Sequence, residues 1–214
     1  MSFADREQAG RALGGALATH KCRHPVVLGL PRGGLPVARE VAEMLNAPLD
    51  VMVVRKLGAP NGPELAIGAV GEHVTLIDED LVSMLGVSDE WLTRAVVRER
   101  GVVQRRIADL REVRRAVPLR DRCVILVDDG IATGATMEAA VRAVRSQRPL
   151  KVVVAAPLAS VDAAAWLRSI ADEVVILETP DPFIAVGAHY VDFAPVSDAD
   201  VRTMLAGQAE LVDV

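Results

Sequence analysis

Short apolar runs alternate with helix-patterned segments along this chain, and that alternation limits the folds open to it. The runs at residues 26–30 ("VVLGL"), 49–56 ("LDVMVVRK"), 123–128, 151–156 and 173–178 are close to continuously apolar. Helical spacing marks residues 5–20, 35–46, 135–147 and 161–171, one long segment over 89–116, and the stretch from Asp198 onward. A strand that is apolar on both faces has to be covered on both faces, and helices placed between parallel strands do this. The expected fold is therefore α/β, an open, twisted, mostly parallel sheet flanked by helices. Ligands of such sheets bind beyond the carboxyl ends of the strands.

The bulk numbers narrow the class further. A chain of 214 residues, 51% of them apolar, can fill a single domain over 1–214. A net charge of -5 argues against wholesale nucleic-acid binding. The opening stretch "MSFADREQAGRALGGALATH" carries charges where a secretory signal needs an apolar block, and no apolar run has membrane-spanning length. A soluble, cytoplasmic protein without membrane contact is expected. Cys22 and Cys123 have no metal-ligand spacing, and Cys123, inside an apolar run, is expected simply to pack there in a reducing setting. His20, His24, His73 and His189 show no HxH or HExxH pattern, so a metal site built from them is not expected.

One strand end carries the chemistry. "VILVDDGIATGAT" stops an apolar run at Asp128 and Asp129 and continues into a small-residue turn. Thr133, Gly134, Ala135 and Thr136 then lead into a helix whose free N–H groups attract phosphate. Gly134 permits close backbone approach, and the threonine hydroxyls add donors. The acids stand too near this cradle to be phosphate ligands. They suit hydroxyl groups, or a magnesium ion bound through water. A sugar phosphate satisfies both halves. The plain alternative is an ordinary strand–turn–helix with two solvated acids. The stretch is no P-loop, since GxxxxGK[ST] is absent.

"VILVDDGIATGATM" resembles the phosphoribosyl-pyrophosphate (PRPP) signature of type I phosphoribosyltransferases. The resemblance implies transfer of the ribose 5-phosphate group of PRPP to a nitrogenous base, with pyrophosphate released and Mg2+ as cofactor. It implies that Asp128 and Asp129 are catalytic, holding the ribose hydroxyls and reaching the metal indirectly, and that Ala132 to Thr136 hold the 5-phosphate. It covers roughly residues 24–70 and 120–180. In the 6-oxopurine enzymes an aspartate stands in the place of Ala132. Alanine here matches adenine-type signatures while the tail resembles the purine-specific hood, so the acceptor base, purine or pyrimidine, stays open. The R-K-L-G-A-P stretch, the insert 78–118 and the tail together resemble a poorly characterised branch of the family. A non-catalytic, PRPP-sensing regulator on the same fold is the rival reading.

Further stretches bear on the same ligand. "LGLPRGGLPVARE" is strand, Arg-Gly-Gly, helix, in which Arg32 supplies a charged fork and Gly33 and Gly34 can turn amides toward an anion. In the family this loop grips pyrophosphate. "VVRKLG" ends a run in Arg55 and Lys56, a pair that can neutralise the leaving group or merely face solvent. "GAPNGPELAIGAV" has the glycines and prolines of a mobile loop, and Glu64 is its only charge, a candidate base or a solvent-facing residue. In "PFIAVGAHYVDF" the resemblance implies a hood, over 180–214 with part of the N-terminus. There Phe183 would stack on a base, Val186 offer backbone hydrogen bonds and Asp192 touch a ring substituent. His189 stands in the same segment. Phe183, Tyr190 and Phe193 can equally form a small core cluster. Residues 94–122 hold ten arginines against four acids, a surplus of +6 (10 minus 4). Val96, Val103, Ile107 and Leu110 recur at helical spacing opposite them. A solvated helix face, a homodimer contact and a polyanion surface all fit that pattern.

Overall fold

The computed structural model describes residues 3–20, 22–72 and 74–207. His73 lies outside the described residues. The chain opens with α1 (Arg6–Leu17), capped by the Asp5 side chain on the N–H of Gln8. Then follow β1 (Pro25–Gly29), α2 (Gly34–Leu45), β2 (Leu49–Val51), β3 (Val54–Ala59), β4 (Gly62–Gly71) and β5 (Thr75–Ile77). Two helices come next, α3 (Glu79–Met84) and α4 (Asp89–Arg111). The remainder is β6 (Cys123–Val127), α5 (Ala135–Arg145), β7 (Lys151–Leu158), α6 (Val161–Ile170), β8 (Glu173–Glu178), a short 3₁₀ turn (Val186–His189) and α7 (Asp198–Ala206).

Five strands form one sheet in the order β2-β1-β6-β7-β8, and every pairing in it is parallel. β6 is buried along its whole length, as an apolar run with sheet on both sides and helices on both faces requires. Two apolar clusters cover the faces. Leu13, Leu35, Val41 and Ile125 belong to one, and Leu126, Met137, Val141 and Leu167 to the other. The order places β1 beside β6, so the ends of two strands that are distant in sequence become neighbours.

The Gly- and Pro-rich stretch 58–72 departs from the expected loop. β3, β4 and β5 make a second, antiparallel three-stranded sheet, with β-bulges around Gly58. The expected strand 49–56 is broken at Met52 and Val53, where the chain leaves one sheet for the other. Ile67, Ala69 and Val70 of β4 are buried, so the hairpin packs as structure. The long helix ends at Arg111, short of residue 116. It is held by a buried ion pair. Arg111 Nη1 donates to Asp50 Oδ1 at 2.7 Å, while Arg111 Nη2 reaches Glu72 Oε2 at 3.0 Å. Asp50 also accepts the N–H groups of Val51 and Val117, which satisfies its buried carboxylate.

Cys123 does more than pack. It is disulfide-bonded to Cys22, which ties the start of β6 to the segment ahead of β1. The expectation that Cys123 simply packs there is corrected accordingly. Among the described residues no helix is long and apolar enough to cross a membrane.

Candidate active site

β6 delivers Asp128 and Asp129 to the carboxyl end of the parallel sheet, beside the end of β1. The turn after β1 closes against them. A Cβ on Gly33 would overlap the Asp129 carboxylate, and one on Gly34 would stand 2.7 Å from the carbonyl oxygen of Val127. Both positions need glycine because the turn backbone lies directly on the acids. Asp128 Oδ1 accepts the N–H of Asp129 at 2.9 Å. Burial pushes the Asp128 carboxyl well above the usual aspartate value, and the adjacent charge of Asp129 adds to this. Burial raises Asp129 as well, against the opposing pull of Arg6.

The turn after the acids is built as a cradle. Gly134 has φ +79°, a left-handed conformation that suits glycine, and it begins α5 with no side chain capping the helix. Thr133 and Thr136 are exposed, and among the described residues neither hydroxyl has a hydrogen-bond partner. The turn is fastened from behind. Ser160 Oγ donates to the carbonyl of Ala132 at 2.7 Å. The N–H of Ile131 donates to the Leu158 carbonyl at the end of β7, and the N–H of Ser160 donates to the Ile131 carbonyl.

A cleft of about 340 Å³ joins these stretches to the cation pair, with Leu30, Pro31, Arg55, Lys56, Arg106 and Thr136 among its lining. Arg55 and Lys56 stand on β3, at the edge of the second sheet. Arg55 is not a bare cation, since its Nε donates to Glu99 Oε2 of α4 at 2.6 Å. Arg32 follows the turn geometry expected of it, but its side chain lines a neighbouring cleft instead, 3.9 Å from Asp198. Glu64 lies on β4, and its side chain is outside what the structure describes.

The tail closes over the acids from the other side. Val186 packs on Gly130, where a Cβ would stand 2.6 Å from its Cγ1. Tyr190 donates its hydroxyl to the carbonyl of Asp129 at 2.6 Å. Phe183 belongs to the small cluster with Tyr190 and Phe193 and lies 5.9 Å from the His189 ring. Asp192 is exposed, and its carboxylate accepts the N–H of Ala194 at 2.9 Å. Of the three expected base contacts, Val186 is therefore packed beside the acids, Phe183 sits in the aromatic cluster, and Asp192 is engaged in a local turn.

Arg6 is the site residue that the sequence concealed. Its Nε donates to Asp129 Oδ2 at 2.8 Å, its Nη1 donates to the Ala194 carbonyl at 2.9 Å, and its guanidinium lies 3.8 Å from the centre of the Phe193 ring. One arginine thus joins α1, the tail and the acid pair, combining an ion pair with a cation–π contact. It lies 123 residues from Asp129, and nothing local in "FADREQAG" signals it. Arg106 is one of many helix arginines in the sequence, and only the fold shows that it lines the cleft.

Comparison with known proteins gives the family. The model of the phosphoribosyl transferase domain matches residues 6–192. A Mycobacterium tuberculosis (H37Rv) protein named "Putative phosphoribosyl transferase Rv0571c" is 48% identical over 205 residues, and its counterpart from strain CDC 1551 matches equally. That alignment takes in 95% of this chain but 46% of theirs, so the chain spans about half the length of these relatives. The crystal structure of TT1426 from Thermus thermophilus superposes with a TM-score of 0.90 at 47% identity, covering 96% of this chain and 98% of that one. The AQ2163 protein of Aquifex aeolicus shares the fold at 14% identity, with a TM-score of 0.52 over 95% of this chain and 86% of its own. The chain belongs to the phosphoribosyl transferase family.

Proposed function

We propose that this chain transfers the ribose 5-phosphate group of PRPP to a ring nitrogen of a purine or pyrimidine base and releases pyrophosphate. One observation carries the reading: three stretches far apart in sequence meet at a single sheet end, namely the turn at Gly33 and Gly34, the acids with their uncapped α5 cradle, and the cations of β3. The 5-phosphate would take the free N–H groups of α5 and the hydroxyls of Thr133 and Thr136. The ribose hydroxyls would bond to Asp128 and Asp129. In the step itself, the bond from C1 to the pyrophosphate oxygen breaks, its electron pair leaving with pyrophosphate, while the base nitrogen bonds to C1 and gives up its proton to water. Positive charge that develops on the ribose faces the two carboxylates, as in glycoside cleavage. Lys56, Arg55 and Arg106 would offset the charge on the departing pyrophosphate. The paired acids beside a cation-lined cleft fit a magnesium ion held through oxygen and water, which would supply charge neutralisation of the leaving group. Much of the rate would come from positioning.

The described part of the tail, 180–207, with α1, would act as the hood in this scheme, and residues 78–118 as an insert beside the cleft. Tyr190 and Arg6 would fix the Asp129 backbone and carboxylate against it. A second reading, a PRPP sensor without turnover, draws on Arg6 and Glu99, which already engage two of the expected site groups. Pyrophosphate release from PRPP, measured with a panel of bases, separates the two. Calorimetry with and without magnesium tests what both share. PRPP affinity should require magnesium; absent affinity in both conditions removes PRPP as the ligand, and equal affinity in both removes the magnesium ion from the scheme.

A further inference from the structure

β1, β6 and β7 are neighbours in the main sheet, so the segments that feed them, 22–24, 120–122 and 148–150, lie side by side at its amino end. The acids and their cradle stand at the opposite, carboxyl end. Backbone hydrogen bonds hold the three segments together. The N–H of Asp121 donates to the Arg148 carbonyl at 3.1 Å, that of Leu150 to the Arg122 carbonyl at 2.9 Å, and that of Cys123 to the Arg23 carbonyl at 3.3 Å. The Cys22–Cys123 disulfide staples the first segment to the second, with Arg23 directly after one half-cystine and Arg122 directly before the other.

This end of the sheet is cationic. Arg23, Arg120 and Arg148 are exposed, and Arg122 is partly buried, its Nε donating to the His24 carbonyl at 3.3 Å. Arg120 has a loose, exposed pair with Asp121 at 3.6 Å, while Arg23 and Arg148 have no ion-pair partner among the described residues. The four arginines against Asp121 leave a surplus of three (four minus one), and the rest of the chain then carries -8 (-5 minus 3). The cations that border this surface, Arg145 and Lys151, are already paired with Asp172 and Glu173. Arg148 adds a conformational clue. It follows α5 with φ +57°, a left-handed turn in which glycine would be the ordinary choice. A long cation is kept where the backbone gains nothing from it.

We infer that this surface binds the phosphate backbone of a nucleic-acid duplex, without reading its sequence. Neighbouring strands stand about 4.8 Å apart, so the guanidinium groups spread over roughly 10 Å, wider than one phosphate and suited to a row of them. A duplex presents a phosphate charge about every 1.7 Å along its axis. The segments 22–24, 120–122 and 148–150 hold no Phe, Tyr or Trp on which single-stranded bases could stack. They are turns tied into the sheet, with no helix free to enter a groove, so contacts stop at the backbone. A protein partner would need an apolar centre, and Leu150 is the one exposed large apolar side chain in these segments. The negative remainder of the chain is repelled by the same duplex, which turns the amino end toward it. The inference is independent of the PRPP reading, whose site lies at the other end of the strands.

The test is fluorescence anisotropy of the full chain with labelled DNA and RNA duplexes of roughly 20 base pairs, about two helical turns. The wild type should bind at low salt, with log K falling against log salt at a slope of roughly -3 to -4 for four phosphate contacts. Arg23→Gln/Arg148→Gln should weaken binding roughly tenfold or more and take about two from that slope. Arg148→Gly guards against misfolding, since glycine suits the turn: it should melt no lower than wild type and still lose about one from the slope. Arg94→Gln, on α4, should leave binding unchanged. No binding of either duplex at low salt overturns the inference, as does an unchanged slope in the Arg23 and Arg148 variants. Poly-glutamate held as tightly as the duplexes would show a surface for acidic protein and overturn the nucleic-acid assignment.

Discussion

Asp128 and Asp129 are held at the sheet end at a cost to folding. Burial raises both carboxyls above the ordinary aspartate value, so their ionised forms are disfavoured in the folded chain. For a raised acid, the stabilising contribution is complete below the unfolded-state value and is lost as pH rises through the folded-state value. Asp128→Asn should therefore melt no lower than wild type near pH 7.5, and higher by on the order of 1 kcal/mol, with the advantage shrinking toward pH 4. Thermal melts across that range measure it, and an advantage that grows in acid would contradict the burial argument. The same variant, and Asp129→Asn, should lose roughly tenfold or more in kcat/KM, equivalent to at least ~1.4 kcal/mol. Full activity in both would mean that these acids do not act on the substrate. Gly33→Ala is the sharper steric test. Its methyl would overlap the Asp129 carboxylate, so PRPP affinity should fall while Gly62→Ala, with open space around its Cβ, leaves affinity unchanged.

Elements were legible where one periodicity ruled. β6, β7 and the helices after them follow from apolar runs and 3.6-residue spacing, because burial on both faces leaves no other pattern. β3 and β4 were not legible, since glycines at 58, 62, 68 and 71 and prolines at 60 and 63 mask the strand signal. The buried Ile67 and Ala69, two residues apart, are what remains of the alternation. Arg55 and Arg111 look alike in sequence, yet both are ion-paired to elements that the sequence could not place beside them. The Arg111 pair is the sterner constraint. Arg111→Ala would leave Asp50, 2% exposed, without its cation, and should cost about 3–5 kcal/mol. Denaturant titration of Arg111→Ala beside Arg94→Ala, whose partner Glu90 is exposed, checks the difference. Equal losses would show that α4 is not anchored there.

For the whole molecule, the acid pair and its cradle could be read from one contiguous stretch, but the clasp above them could not. Phe3 bridges to Tyr190, Arg6 reaches Asp129 and Ala194, and Cys22 bonds to Cys123, all across more than a hundred residues. Such contacts leave no trace in local composition. The disulfide spans 101 residues and restricts the unfolded chain most, for a gain of up to ~4.7 kcal/mol on the chain-entropy estimate. A reductant should therefore lower the unfolding midpoint of the wild type and leave Cys22→Ser unmoved. Identical midpoints with and without reductant would show that the bond contributes nothing in solution.

β6 is hydrogen-bonded on both sides, to β1 and to β7, while the cradle beyond it is tied through Ile131, Ala132 and Ser160 alone among the described residues. In hydrogen exchange, the amides of Val124 to Val127 should open only with the whole fold, and those of Thr133 to Thr136 far sooner. The two halves of the proposed ligand site would then answer to different clocks. The acids would ride on the slowest-opening strand, while the phosphate turn re-forms around each arriving anion.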